Sequence, residues 1–154
     1  MLKTTQVLVA AFFFCFFFTA VAKARDPIYI SAGASDEGLG LSAGVSALPP
    51  VVIMPGFDIG IDYDVVGDTE GAFVTAQIGF GVPFVYGYAE YGVGKMWGTS
   101  KNSEGAKENQ SDGARKITLG MALGAYLFEV IYEHVRWYSF VDSSAHLLGL
   151  RFRF

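Results

Sequence analysis

Two groups of residues carry types that could do chemistry. Asp58, Asp62 and Asp64 crowd one short segment, and His134 follows Tyr132 and Glu133 ahead of Ser139, Ser143 and Ser144. The first group could collect a cation, and the second could set a general base beside a hydroxyl nucleophile. Each chemistry makes a geometric demand. Ligand oxygens must converge on one ion, whereas alternate residues of a strand stand roughly 6–7 Å apart, so only neighbours could share it. No metal site is expected from that pattern. A catalytic histidine needs a nucleophile within hydrogen-bond reach and a carboxylate to orient it. Glu133 adjoins His134 and would face the other side of a strand. Ser139, Ser143 and Ser144 lie at unsuited spacings. No phosphate loop, nucleotide fingerprint, haem motif or zinc motif occurs, so no cofactor is expected.

The elements that would position these residues read as strands. In the closing stretch HLLGLRFRF, Leu148, Leu150, Phe152 and Phe154 share one face, and Gly149, Arg151 and Arg153 share the other. That is the period of two of a strand. Similar alternation marks eight segments: 28–35, 39–48, 57–65, 72–82, 85–98, 117–128, 131–140 and 146–154. In the third, Phe57, Ile59, Ile61, Tyr63 and Val65 oppose Asp58, Gly60, Asp62 and Asp64. In the fourth, Val74, Ala76, Ile78 and Phe80 oppose Thr75, Gln77, Gly79 and Gly81. Residues 83–84 and 129–130 read as tight turns, and 99–116 as a long polar loop. The apolar, proline-bearing stretch 47–56 is poorly suited to the short turn required there.

One face is greasy throughout and the other is small or polar. A soluble barrel needs the reverse, with charge enough to cover its outside wall. The pattern therefore predicts an all-β, eight-stranded, antiparallel up-and-down barrel that crosses a membrane, greasy face outward. Closing the sheet pairs every backbone amide, as the bilayer core demands. The charged residues Asp58, Asp62, Asp64, Glu90, Arg136, Arg151 and Arg153, joined by Gln77 and His134, then fall in the lumen. Buried charges must pair, so a lumen plugged by ion pairs is expected. Tyr63, Trp97 and Trp137 would lie outside at the outer interface, where amphipathic aromatics collect. With Arg136 inside and Trp137 outside, Glu133 would meet lipid unless a bulge near His134 reset the strand.

Residues 1–24 have a charged start, an apolar middle and small residues at Ala22 and Ala24, the layout of a removed signal peptide. Residues 25–154 then form one barrel domain. Cys15, the single cysteine, would leave with the signal, and with it any disulfide or thiol chemistry. Loss of Lys3 and Lys23 moves the formal charge from -4 to about -6, which argues against a nucleic-acid partner.

The run GFGVPFVYGYAEYGVG at 79–94, and YEHVRWYS followed by HLLGLRFRF, resemble the small eight-stranded outer-membrane β-barrels, the OmpA/OmpX-like and opacity-porin-like proteins. The resemblance implies export to the outer membrane and contact with its lipids and lipopolysaccharide. It also implies that Phe152 and Phe154 are read by the barrel-assembly machinery. Tyr132-Glu133-His134 is similar to the motif of the lipid A deacylases. That family has its nucleophilic serine two residues after the histidine, where this chain has Arg136. The expected role is structural or surface interaction, as a monomer. A lipid-A-modifying enzyme and a narrow ion channel are the alternatives. Arg115 and Lys116, placed on the long loop, are the residues expected to meet anionic lipopolysaccharide.

Overall fold

The structure is a computed structural model and describes residues 28–48, 55–82, 84–101, 107–125, 127–140 and 142–154. The expected signal peptide and its cleavage site lie outside the described residues, as do positions 49–54 of the proline-bearing stretch. Eight strands form a closed barrel in sequential order. They are β1 (Ile28–Ala34), β2 (Gly38–Leu48), β3 (Gly56–Val66), β4 (Thr69–Val82), β5 (Val85–Lys101), β6 (Lys107–Ala125), β7 (Phe128–Tyr138) and β8 (Ser143–Arg153). All neighbours are antiparallel, and β1 closes the sheet on β8 through pairs such as Ala32↔Leu150. Phe154 N–H donates to the Ile28 carbonyl at 3.0 Å, extending that seam to the last residue.

Alternation dictates the wall. In β3 the side chains of Asp58, Asp62 and Asp64 are buried while Ile59 and Ile61 are more than half exposed. The same inversion runs through β4, β6 and β8, where Val74, Leu119 and Leu148 stand outside. A barrel whose exposed wall is Ile, Val, Leu and Phe, and whose buried interior is charged, is stable only with hydrocarbon around it.

The turns sort by end. At the end that holds both the start of β1 and the finish of β8, the β4–β5 and β6–β7 connections are tight. At the opposite end, β3 and β4 are joined through Gly67 and Asp68, with Gly67 at φ 56°, a left-handed conformation that favours glycine. The ladder between β2 and β3 shifts register between Ser46 and Leu48, just before the proline-bearing stretch.

The long polar loop differs from its expected form. β5 last pairs with β4 at Gly98, and β6 first pairs with β7 at Arg115. Residues 107–109 pair only with 99–101, and 110–114 pair only with 94–98 of β5, without a partner in β7. Much of the predicted loop is therefore a two-stranded arm standing beyond the barrel rim. A hairpin in water needs no apolar face to pair its backbone, so alternation could not reveal it.

Candidate functional site: the plugged lumen

Three layers of side chains fill the barrel. Nearest the chain-terminus end lie Arg153 and Arg151, both fully buried on β8. Arg153 donates from Nε to Glu129 Oε1 at 3.3 Å, from Nη1 to Ser46 Oγ at 2.5 Å and from Nη2 to Tyr86 Oη at 3.2 Å. Its Nη2 also lies 3.6 Å from Asp58 Oδ2. Arg151 donates to Tyr86 Oη at 3.0 Å and to Gln77 Oε1 and Tyr88 Oη at 3.4 Å. Both guanidinium planes lie over the Tyr29 ring, at 4.9 and 5.3 Å from its centroid. The tyrosines complete the network: Tyr86 donates to Glu129 at 2.7 Å and Tyr88 to Glu133 at 2.5 Å.

Small residues create the room for these rings. A Cβ on Gly44 or Gly60 would meet Tyr29 Oη at 2.5 or 2.7 Å, and one on Gly120 would meet Tyr88 Cζ at 2.3 Å. Glycine on one strand roofed by an aromatic from another is a recurrent way of packing a curved sheet. The small inward face seen in the sequence is therefore the seat of two large rings, those of Tyr29 and Tyr88.

The middle layer is a lysine among carboxylates. Lys116 Nζ bonds Asp62 and lies 3.3 Å from Asp64 and 3.5 Å from Glu90. Thr118 donates to Glu90 at 3.1 Å. The void among these groups is about 10 Å³, at the lower limit for a single water. Above it Phe73, Met96, Ala114, Val135, Trp137, Ala145 and Leu147 close the lumen with an apolar layer. Trp137 reaches down from this layer and donates its indole N–H to Asp64 Oδ2 at 2.7 Å.

The structure brings Asp58, Asp62, Asp64, Glu90, Arg151 and Arg153 together inside and leaves Arg136 out. Arg136 is half exposed and pairs with Asp142 at 3.2 Å on the rim, with its guanidinium 4.9 Å from the Tyr138 ring. Trp137, expected outside, is 1% exposed. The strand's parity is the reverse of the expected one, and its ladders to β6 and β8 run without a bulge. The cause is the pairing of charges across the lumen. Inward Glu129 and Glu133 meet Arg151 and Arg153, whereas the other parity would put both carboxylates in lipid and bury Arg136. His134 moves outside with Arg136. Tyr63 and Trp97 do stand on the outer wall, ring centroids 6.4 Å apart, both donating to Glu70 Oε2. Phe152 faces outward against Phe128, with ring centroids 5.5 Å apart, and Phe154 is exposed beside it on the seam.

Lys116, Glu129, Glu133 and the three lumen tyrosines escaped the sequence reading of the network. The sequence puts Lys116 at the end of the polar loop, whereas in the structure it lies within β6 and shares its inward parity with Thr118 and Ala122.

Comparison of the sequence with protein-family models and with curated proteins gives no match. Among solved structures, the barrel is similar to the N-terminal β-barrel domain of Pseudomonas aeruginosa OprF, at 18% identity and a TM-score of 0.67, covering 85% of this chain and 99% of that one. The fold is that of the small eight-stranded outer-membrane β-barrels. Ail, the attachment invasion locus protein of Yersinia pestis, is similar at 17% identity and a TM-score of 0.48, covering 85% of this chain and 96% of Ail. Neisserial surface protein A is similar at 12% identity and a TM-score of 0.47, with the same coverages.

Proposed function

We propose that the protein is an outer-membrane barrel with a structural or surface-interaction role, monomeric, with its lumen sealed by ion pairs and its partners met on the outer wall and the arm. The observation that carries this reading is the filled interior among the described residues: charged, hydrogen-bonded and capped by an apolar layer, with a void of only about 10 Å³ among the charged groups. Eight strands enclose a space that side chains alone can fill. The signal-like residues 1–24 and the inside-out wall support an outer-membrane address, with residues 25–154 as the exported barrel.

The arm would project from the cell, and the tight turns would face the periplasm. At the arm's base, Arg115 lines a groove of about 730 Å³ with Asp112, Asp142 and an apolar floor that includes Tyr91, Val93 and Ile117. An amphiphile with a charged head, such as lipopolysaccharide, suits that lining. Lys116 is buried and has no part in such contact. Phe152 and Phe154, outward at the closing seam, are the residues offered to the assembly machinery. The deacylase alternative lacks its nucleophile, because the outward row of β7 continues from His134 to Arg136.

An epitope inserted between residues 102 and 106 tests orientation and address together. Antibody should label it on intact cells, and the protein should fractionate with outer membranes. Labelling only after permeabilisation would overturn the reading. Mass spectra of lipid A from cells with and without the protein should coincide; a changed acyl count would make it an enzyme.

A further inference from the structure

The outer wall carries a pair of histidines that the lumen network does not use. His134 on β7 and His146 on β8 are register partners, so their side chains leave the sheet side by side. Their ring centroids lie 4.5 Å apart, with the planes inclined at 39°. Tyr132, two residues along the same outward row, lies 2.8 Å from His146 Nδ1 through its hydroxyl. Its ring is nearly parallel to that of His146, at 20° and 5.8 Å. His134 Nδ1 is buried and has no hydrogen-bond partner among the described residues. The flanking positions are apolar: Leu119 is the β6 partner of His134, and Leu148 adjoins His146 on the outward row.

We infer that His134 and His146 bind one divalent transition-metal ion of the zinc, nickel or copper type on the outer wall. Two imidazoles on paired strands, with ring centroids 4.5 Å apart, are close enough for one nitrogen of each to reach the same ion, and imidazole suits this class of ion. Tyr132 supplies the outer-shell contact. When its oxygen accepts from His146 Nδ1–H, the tautomer is fixed with Nε2 free to ligate, the usual arrangement of a metal-bound histidine. On His134 the unpartnered Nδ1 is the ligand atom, and coordination would satisfy a buried nitrogen that no described residue satisfies. Among the described residues no group of three or more His, Cys, Asp or Glu is placed to hold a metal. The site therefore has two protein nitrogens and open positions for water or an anionic oxygen. The pairing is invisible to a sequence motif, because the two histidines come from different strands.

The protein, purified from membranes in detergent without a histidine tag and stripped with a chelator, would be titrated with zinc chloride by calorimetry. One equivalent should bind, and His134→Gln or His146→Gln should each weaken binding at least tenfold. Tyr132→Phe should weaken it less, by up to about tenfold, as loss of an outer-shell partner does. Zinc should raise the unfolding midpoint of the unmodified protein and leave that of the double glutamine variant unchanged. Both histidines lie outside the packed lumen, and the mobility of unheated protein on a denaturing gel checks that each variant is folded. Absence of binding, or binding that survives in the folded double variant, would overturn the inference.

Discussion

The indole N–H of Trp137 donates to Asp64 Oδ2 at 2.7 Å, so the apolar cap of the lumen is bonded to the charged layer beneath it. The other tryptophan, Trp97, stands on the outer wall beside Tyr63. The two should therefore report opposite surroundings. In vesicles of brominated lipid, a Trp137→Phe variant, which keeps Trp97, should be strongly quenched. A Trp97→Phe variant, which keeps Trp137, should be quenched little. The reverse order would restore the parity first expected for β7.

Removal of the lysine leaves Asp62, Asp64 and Glu90 facing one another without their cation. Lys116→Met should destabilise the barrel by about 3–5 kcal/mol, the cost of breaking a buried ion pair by one partner. Adding Asp62→Asn should recover part of that loss. Urea unfolding in lipid vesicles measures both, and additive losses in the double variant would contradict the account.

How far these relations were legible follows from particular residues. In β3, β4, β6 and β8 apolar and polar residues alternate cleanly, and the two faces could be read directly. β7 offers Glu133, His134, Arg136 and Trp137 in near succession, so polarity occurs on both faces and alternation cannot choose between them. What decides is non-local: Glu129 and Glu133 must meet arginines of β8. The arm was hidden for a different reason. Its residues are polar on both sides, and backbone pairing between β5 and β6 leaves no trace in composition. The histidine pair was hidden because register across strands is a property of the closed sheet.

Glycines that seat rings should be intolerant, and those in the arm should not be. Gly120→Val places carbon atoms within the Tyr88 ring, whereas a Cβ on Gly113 meets nothing within 4 Å. On unheated denaturing gels, Gly120→Val should lose the compact band and Gly113→Ala should keep it. Equal behaviour would mean that the tyrosines do not fill the lumen as described.

The seam residues separate folding from assembly. Phe154 closes the β1–β8 seam through backbone groups, while its side chain is exposed. Phe154→Ala should therefore fold into pure lipid vesicles at close to the unmodified rate. In cells it should reach the outer membrane more slowly, which pulse-chase with the gel-mobility assay would measure. Equal slowing in both settings would assign the residue to packing alone.

A barrel that spans a bilayer with its lumen sealed by side chains passes no ions. Single-channel recording of the purified protein in planar bilayers tests it most directly. A flat trace is predicted for the inserted protein, with insertion verified by the compact band of recovered vesicles. Discrete conductance steps that change size in Lys116→Met would contradict it and make the lumen a conduction path.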